Sequence, residues 1–458
     1  MPMIDVIAAR VRPTGIALLV SACLMLVAGQ TQALPIEKVL SSSNVPAWVS
    51  PDPAAKDVTV VMSWRDGFDP KTSKRGLSNV AIAMMGAGAG NLDEVDFKSA
   101  VQDLGATMRI YSSDGPRIGF QITTKADKLD ETLALAHSVL TEPRFADVDL
   151  MRITKTINNG RKSYFAAPQG KAQYAMAQVT MANDVLTRAT LKPNEDIPTF
   201  TRADLITWHK QRFALDNLVI GLAGNLTSAQ AGEIVDRLVA GLPAKSAIPA
   251  MPMITYTGAG EVVLVPAESE QSILMVAGGY LPDAGPNEGV EGAAGDVLAD
   301  YVGNGSSGRL FKKIREEKGL SYGITGSTGG GARGTSYMIG TSLPKDKVAE
   351  ALGLVREVLT QVAQEGITDT DLVATKERLR ARHGRGLTSS AAIAGTLNMM
   401  LGRGRPIDHW NLYPDNVAAV TKAQVDQLAR TYLAPNKLAV LIVGDANGVS
   451  TTRMFPVN

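Results

Sequence analysis

Residues Gly303–Gly323 read GNGSSGRLFKKIREEKGLSYG: a glycine-rich turn, one short amphipathic helix, and a glycine that closes it before extended chain. Ser306 or Ser307 is placed to cap that helix by accepting from its first free N–H groups. Leu310, Phe311 and Ile314 give it an apolar face for a sheet to cover. Gly319 stands where a left-handed residue ends a helix, and Ser321 to Ile324 then reads as the start of a strand. Two side chains here can do chemistry. Arg315, near the helix end, and Tyr322, seven positions on, both donate hydrogen bonds of the kind an oxyanion or a peptide carbonyl accepts. Pattern alone places Arg315 on a solvated face among Lys312, Lys313, Glu316, Glu317 and Lys318, and Tyr322 in packing. Gly303, Gly305 and Gly308 also spell G-x-G-x-x-G. The preceding GDVLADYV reads helical, however, and no Asp or Glu occurs from Gly319 to Leu343, so the dinucleotide reading fails.

Outward from this stretch, one plan is written twice. Thr201-Arg-Ala-Asp-Leu leads through a helix to Asn217 and a strand ending at Gly224; Thr421-Lys-Ala-Gln-Val leads to Asn436 and a strand ending at Gly444. The offsets Thr201 to Thr421, Asn217 to Asn436 and Gly224 to Gly444 are 220, 219 and 220 residues. Ala126-Asp-Lys-Leu and Lys345-Asp-Lys-Val open equivalent helices, each followed by a second (after Asp149-Leu150 and Asp371-Leu372). Antiparallel pairs are expected over 107–112 with 118–124, and over 321–326 with 336–340, the tip of the second lying in Gly329–Gly334. Such uneven alternation of strands, hairpins and helices predicts an α+β fold: two homologous domains, each a mixed, largely antiparallel sheet with helices layered on it. The Pro-rich stretch after Gly241 separates them, giving domains 34–245 and 261–458 around a linker, 246–260.

The 458 residues are too many for one ordinary core, and 45% hydrophobic with 20% charged content is globular material. A net charge of +1 offers no electrostatic case for nucleic acid or an anionic membrane surface. Arg10 and Arg12 precede an apolar run, Gly15 to Ala28, and small residues around Thr31-Gln32-Ala33; this predicts a secretory signal over 1–33 and a periplasmic protein. Cys23 follows Val20-Ser21-Ala22, resembling a lipoprotein cleavage site, but the apolar run continues through Leu26 and Val27, so cleavage near Ala33 is expected instead. The mature chain then has no cysteine, no thiol chemistry and no membrane span.

The first-half counterpart of the opening stretch is Gly76-Leu-Ser-Asn-Val-Ala-Ile-Ala-Met-Met-Gly86, an apolar helix in which Asn79 reads as a cap or core amide. His137, His209, His383 and His409 never come within a helical turn of one another, and no H-E-x-x-H, H-x-x-E-H, Gly-x-Ser-x-Gly or P-loop occurs. The chain alone is not expected to be an enzyme.

The duplicated halves, Gly-Leu opening the first-half helix, Arg-Leu-Phe-x-x-Ile-Arg-x-x-x-Gly-Leu-x-Tyr in the second, and the Asn…Gly ends together resemble the pitrilysin/insulinase family over about Leu40 to Val457. Those are zinc peptidases with the inverted motif H-x-x-E-H. The resemblance puts that motif on Asn79, Ile82 and Ala83, so both histidines and the glutamate base are replaced. It puts the third ligand near Asn158 to Gly160, where Leu150 to Asn183 holds no Asp or Glu. It also matches Arg315 and Tyr322 to an Arg/Tyr pair that the family's second domain presents to the zinc across a chamber. The resemblance thus implies the non-zinc subunit of a bacterial two-subunit metallopeptidase. A homologous partner bearing H-x-x-E-H would hold the zinc, and this chain would bind no cofactor and help to hold unfolded peptides. A catalytically inert structural or peptide-binding homologue is the alternative, and a single-chain peptidase a remote third.

Overall fold

The computed structural model describes residues 33–113, 116–281, 289–331 and 333–457. The expected secretory segment, 1–33, lies outside the described residues except for Ala33. Within them the repeat in sequence becomes a repeat in topology. One sheet holds β1 (Glu37–Lys38), β2 (Ala47–Pro51), β3 (Asp57–Arg65), β4 (Thr107–Ser113), β5 (Arg117–Lys125) and β6 (Leu218–Gly224), in the order β1-β2-β6-β3-β5-β4. The other holds β7 (Val262–Pro266), β8 (Gln271–Leu281), β9 (Ile324–Gly331), β10 (Gly334–Pro344), β11 (Ala439–Gly444) and β12 (Arg453–Met454), in the order β12-β7-β11-β8-β10-β9. β2–β6 and β7–β11 are parallel; from β6 to β4 and from β11 to β9 every pairing is antiparallel. The α+β expectation and both antiparallel pairs hold.

Alternation along a strand gives each sheet two faces, and here both are covered. From Val58 to Trp64 every residue of β3 is buried. Val58, Val60, Met62 and Trp64 join the first core, together with the Leu77–Met85 and Leu129–Thr141 helices. Val61, on the opposite face, packs with Ala223 against Ala394 of the Ser390–Gly402 helix, which comes from the second half. The exchange is reciprocal. Ala172, Ala175, Met176 and Val179 of the first-half Pro168–Thr180 helix pack on Val263, Val265, Met275 and Leu441 of the second sheet.

Close backbone approach makes the swap possible. A Cβ on Gly221 of β6 would stand 2.2 Å from the Ala394 carbonyl oxygen and 2.6 Å from the Asn398 nitrogen. Asn398, buried in a largely apolar helix, donates Nδ2 to the carbonyls of Val61 and Val219, both at 2.9 Å, and accepts from Ser63 Oγ at 2.7 Å. No helix or strand lies between Val239 and Val262, yet the stretch is strapped to both halves. Ala247 N donates to Gln211 O at 2.8 Å, Thr257 N to Thr180 O at 2.8 Å and Ile254 N to Arg333 O at 2.9 Å. Arg333, at the β9–β10 turn, donates to Pro252 O and forms a buried ion pair with Asp184 of the first half.

Local signals held at the paired helix starts, where Thr201 with Asp204 and Thr421 with Gln424 form reciprocal capping boxes. They failed in the opening stretch. Gly305–Ser307 make a 3-10 turn, and the cap is Gly308, with no side-chain bond from Ser306 or Ser307. The strand starts at Ile324, because Ser321 Oγ bonds Thr341 Oγ1 at 2.7 Å and Ser342 O at 2.9 Å and bends the chain there. The glycine pattern that mimicked a nucleotide fingerprint serves packing. A Cβ on Gly303 would lie 2.6 Å from Gly326 Cα, where the Gly289–Gly303 helix lands on β9.

Candidate functional site

After Phe311 the helix widens from α to π turns over Lys312–Glu317 and ends at Gly319, whose φ of 62° a β-carbon would oppose. Gly319 N donates to Arg315 O and Leu320 N to Ile314 O, each at 3.0 Å. Leu310 and Ile314 are fully buried, which turns Arg315 outward with its guanidinium 5.2 Å from the Phe311 ring centre. Arg315 Nη1 donates to the Tyr322 carbonyl, so the structure brings the two residues together. The Tyr322 side chain is 85% exposed, while Leu320, Ser321 and Ile324 around it are buried.

In the first half, Gly76 begins the Leu77–Met85 helix with φ 80° and no side-chain cap. Leu77, Val80, Ala81, Met84 and Met85 face inward, which leaves Asn79 and Ala83 exposed and Ile82 half-buried against the core. The reading of Asn79 as a cap or core amide is therefore wrong: 3.6 residues per turn put it on the outer face, one turn before Ala83. Asn79 lines a cavity of about 270 Å³ with Ser78, Lys74, Ser112, Arg117 and Arg161 among its walls. Arg315 and Tyr322 are not on those walls. Near the expected third-ligand position, Asn158 Oδ1 is occupied by the Ile197 N–H at 3.0 Å, and Asn159 and Gly160 are exposed.

The cavity is cationic, and its ion pairs are mostly closed. Asp66 accepts from Arg212 Nε at 2.6 Å and Gly67 N at 2.7 Å; Lys74 binds Asp204 at 2.7 Å; Arg161 donates to the carbonyls of Leu191, Lys192 and Glu195. Arg117, at the start of β5, differs. It donates Nε to Ser63 Oγ at 2.9 Å and Nη2 to Ser63 O at 2.6 Å, and among the described residues it has no carboxylate partner. Burial, with Arg65 nearby, pulls its guanidinium down to about 10. The sequence reading missed Arg117, which there looks like an ordinary hairpin charge after Gly115-Pro116. It missed Asn398 too, although a lone amide in the apolar run Ala391 to Leu401 was a usable sign.

Zinc takes thiolate, imidazole or carboxylate ligands, and Asn79, Ile82 and Ala83 supply none of these. Among the described residues no three His, Cys, Asp or Glu side chains gather as a metal ion requires. His209 instead stacks on Phe213 with ring centres 4.7 Å apart, and His383 lies 4.2 Å from Trp410. The residues present do not fit the family's zinc ion.

Residues 199–379 match the family model described as the Peptidase M16 inactive domain. Over those residues, 181 of the chain's 458, the chain is similar to the M16 peptidase family. The pitrilysin/insulinase resemblance drawn from the sequence is upheld by this match. An uncharacterized zinc protease of Mycobacterium tuberculosis is 26% identical over 256 residues, 54% of this chain and 56% of the relative. The chain thus spans just over half the length of several curated relatives that it matches. The Helicobacter pylori non-peptidase homolog YmxG is 21% identical over 375 residues, 81% of this chain and 84% of that one. Among solved structures, a peptidase M16 inactive domain from Pseudomonas fluorescens superposes with TM-score 0.81 at 20% identity, covering 93% of this chain and all (100%) of that one. The periplasmic protease PqqL from Escherichia coli gives 0.70 at 17% identity, over 96% of this chain and 49% of that one. At these identities the superpositions bear on fold alone. The relatives thus include proteins named as proteases and one named as a non-peptidase.

Proposed function

We propose that this chain is the non-zinc-binding subunit of a heteromeric M16 metallopeptidase acting in the periplasm. It would lend Arg315 and Tyr322 to a homologous partner that carries H-x-x-E-H. The single observation that supports the reading is the setting of Tyr322. A closed helix end holds its carbonyl through Arg315, yet leaves the phenol in solvent between buried neighbours. Packing gives no reason to hold a large aromatic in that way. The partner's zinc and glutamate would supply the activated water. Arg315 and Tyr322 would donate hydrogen bonds to the peptide carbonyl as it becomes an oxyanion, and removing one such donor costs on the order of 100-fold in rate. Unfolded peptides would add to an edge strand such as β4 or β9, each at the end of its sheet. Export rests on the Arg10 to Ala33 pattern.

The test mixes the chain with its H-x-x-E-H partner and follows a fluorogenic peptide. Arg315→Ala combined with Tyr322→Phe is expected to lower kcat at least 100-fold with a smaller change in KM. Unchanged turnover refutes the catalytic role. The name of the H. pylori relative favours a second reading, a peptide-binding homologue without catalytic duty. A homodimer that binds peptides and ignores every H-x-x-E-H partner would decide for it.

A further inference from the structure

Among the described residues, the cavity beside Asn79 contains a charge with nothing to balance it. Three of its wall residues are cations, Lys74, Arg117 and Arg161, against one carboxylate, Asp66. Asp66 is committed to Arg212, Lys74 to Asp204, and Arg161 to three backbone carbonyls. Among the described residues, Arg117 keeps its positive charge on bonds to a hydroxyl and a carbonyl alone, both from Ser63. Neutral acceptors orient a guanidinium but do not neutralise it, and a half-buried cation without a counter-charge is costly.

The same contacts make it rigid. Nε and one edge of Nη2 are pinned to β3, and on the far side a Cβ at Gly402 would come within 3.3 Å of Nε and 3.4 Å of Cζ. The guanidinium is clamped between the first sheet and the end of the exchanged Ser390–Gly402 helix. Its Nη1 makes no hydrogen bond among the described residues, so a fork of donors on Nη1 and Nη2 remains for a planar acceptor. Ser78, Ser112 and Asn79 add neutral polar groups around the space, while Phe68, Leu186 and Leu191 make part of the wall apolar. That mixture suits an organic acid with carbon attached better than a bare inorganic ion.

We propose that this cavity binds a carboxylate of an extended peptide, gripped bidentately by Arg117, at the place where the family resemblance would put a metal cation. A fixed guanidinium there attracts the ligand's charge without the means to activate water. Two peptide groups share this chemistry, the C-terminal carboxylate and an Asp or Glu side chain. A charge-assisted hydrogen-bonded pair of this kind corresponds to roughly 10–100-fold in affinity. The inference rests on the peptide-holding part of the proposed function and is independent of Arg315 and Tyr322.

The experiment measures binding of the whole chain to fluorescent peptides of one neutral sequence in three forms: free C-terminus, C-terminal amide, and amide with one internal Asp. The free acid, or the Asp form, is expected to bind about 10–100-fold tighter than the plain amide, and which of the two does so names the source. Arg117→Gln should erase that preference. Because Arg117 also braces Ser63, Asn79→Asp provides a second variant: it changes an exposed residue, adds a negative charge to the wall, and should abolish the preference in a fully folded protein. Arg315→Ala with Tyr322→Phe should leave the preference intact, so loss of turnover without loss of preference separates the two ideas. Equal binding of all three peptides, a preference that survives Asn79→Asp, or displacement by inorganic phosphate at peptide-equivalent concentration overturns the proposal.

Discussion

Replacing Asn398 with alanine removes the polar peg by which the second half's Ser390–Gly402 helix sits on the first half's sheet. Three hydrogen bonds go: two from Nδ2 to the carbonyls of Val61 and Val219, and one accepted from Ser63 Oγ. The site is buried, so water does not replace them freely. At about 1 kcal/mol net for each bond, the loss is about 3 kcal/mol, with the shortened side chain adding to it. Because the bonds cross between the halves, the cost falls on docking of this helix. Hydrogen exchange read peptide by peptide resolves that. A 3 kcal/mol drop in local opening energy speeds exchange over Ser390–Gly402 by roughly 100-fold, while the Gly289–Gly303 helix keeps its wild-type rate. Asn398→Asp should be at least as damaging, since an oxygen then faces each strand carbonyl. Exchange within about threefold of wild type in both variants would mean that Ala394 against Val61 and Ala223 is what holds the helix, and that the amide is incidental.

Two further outcomes are expected. Burial pushes the His209 imidazole down to about 4 from its ordinary 6.5, so the unfolded chain takes up the proton first as pH falls. The resulting stability is complete above pH 6.5 and declines toward pH 4 by about 3 kcal/mol; urea midpoints across that range should show the slope, and His209→Gln should flatten it. Arg333→Met strands the Asp184 carboxylate, whose side chain is 4% exposed, and should cost about 3–5 kcal/mol in urea unfolding; adding Asp184→Asn, which can still cap the Val185–Ala189 helix, should recover most of it.

The chain's own order of residues settled whatever depends on near neighbours. The 219–220-residue repeat, both antiparallel pairs, the Thr201 and Thr421 capping boxes and the left-handed Gly319 are all written within a few residues of where they act, as is the absence of zinc ligands at Asn79, Ile82 and Ala83. Even here one local sign misled, since Ser306 and Ser307 lie in a turn that Gly308, not either serine, brings to its end. Only the tertiary structure decided which sheet each helix covers. Pro168–Thr180 and Ser390–Gly402 are Ala-rich and lack a strong one-sided pattern, so nothing along the chain says that each will cross to the opposite half. The same holds for Arg117 and Tyr322. An arginine is neutralised or left wanting by groups distant in sequence, and a tyrosine is covered or bare according to what folds over it. Charge balance and solvent access are properties of three-dimensional surroundings, and the chain acquires them only when its two halves close on each other.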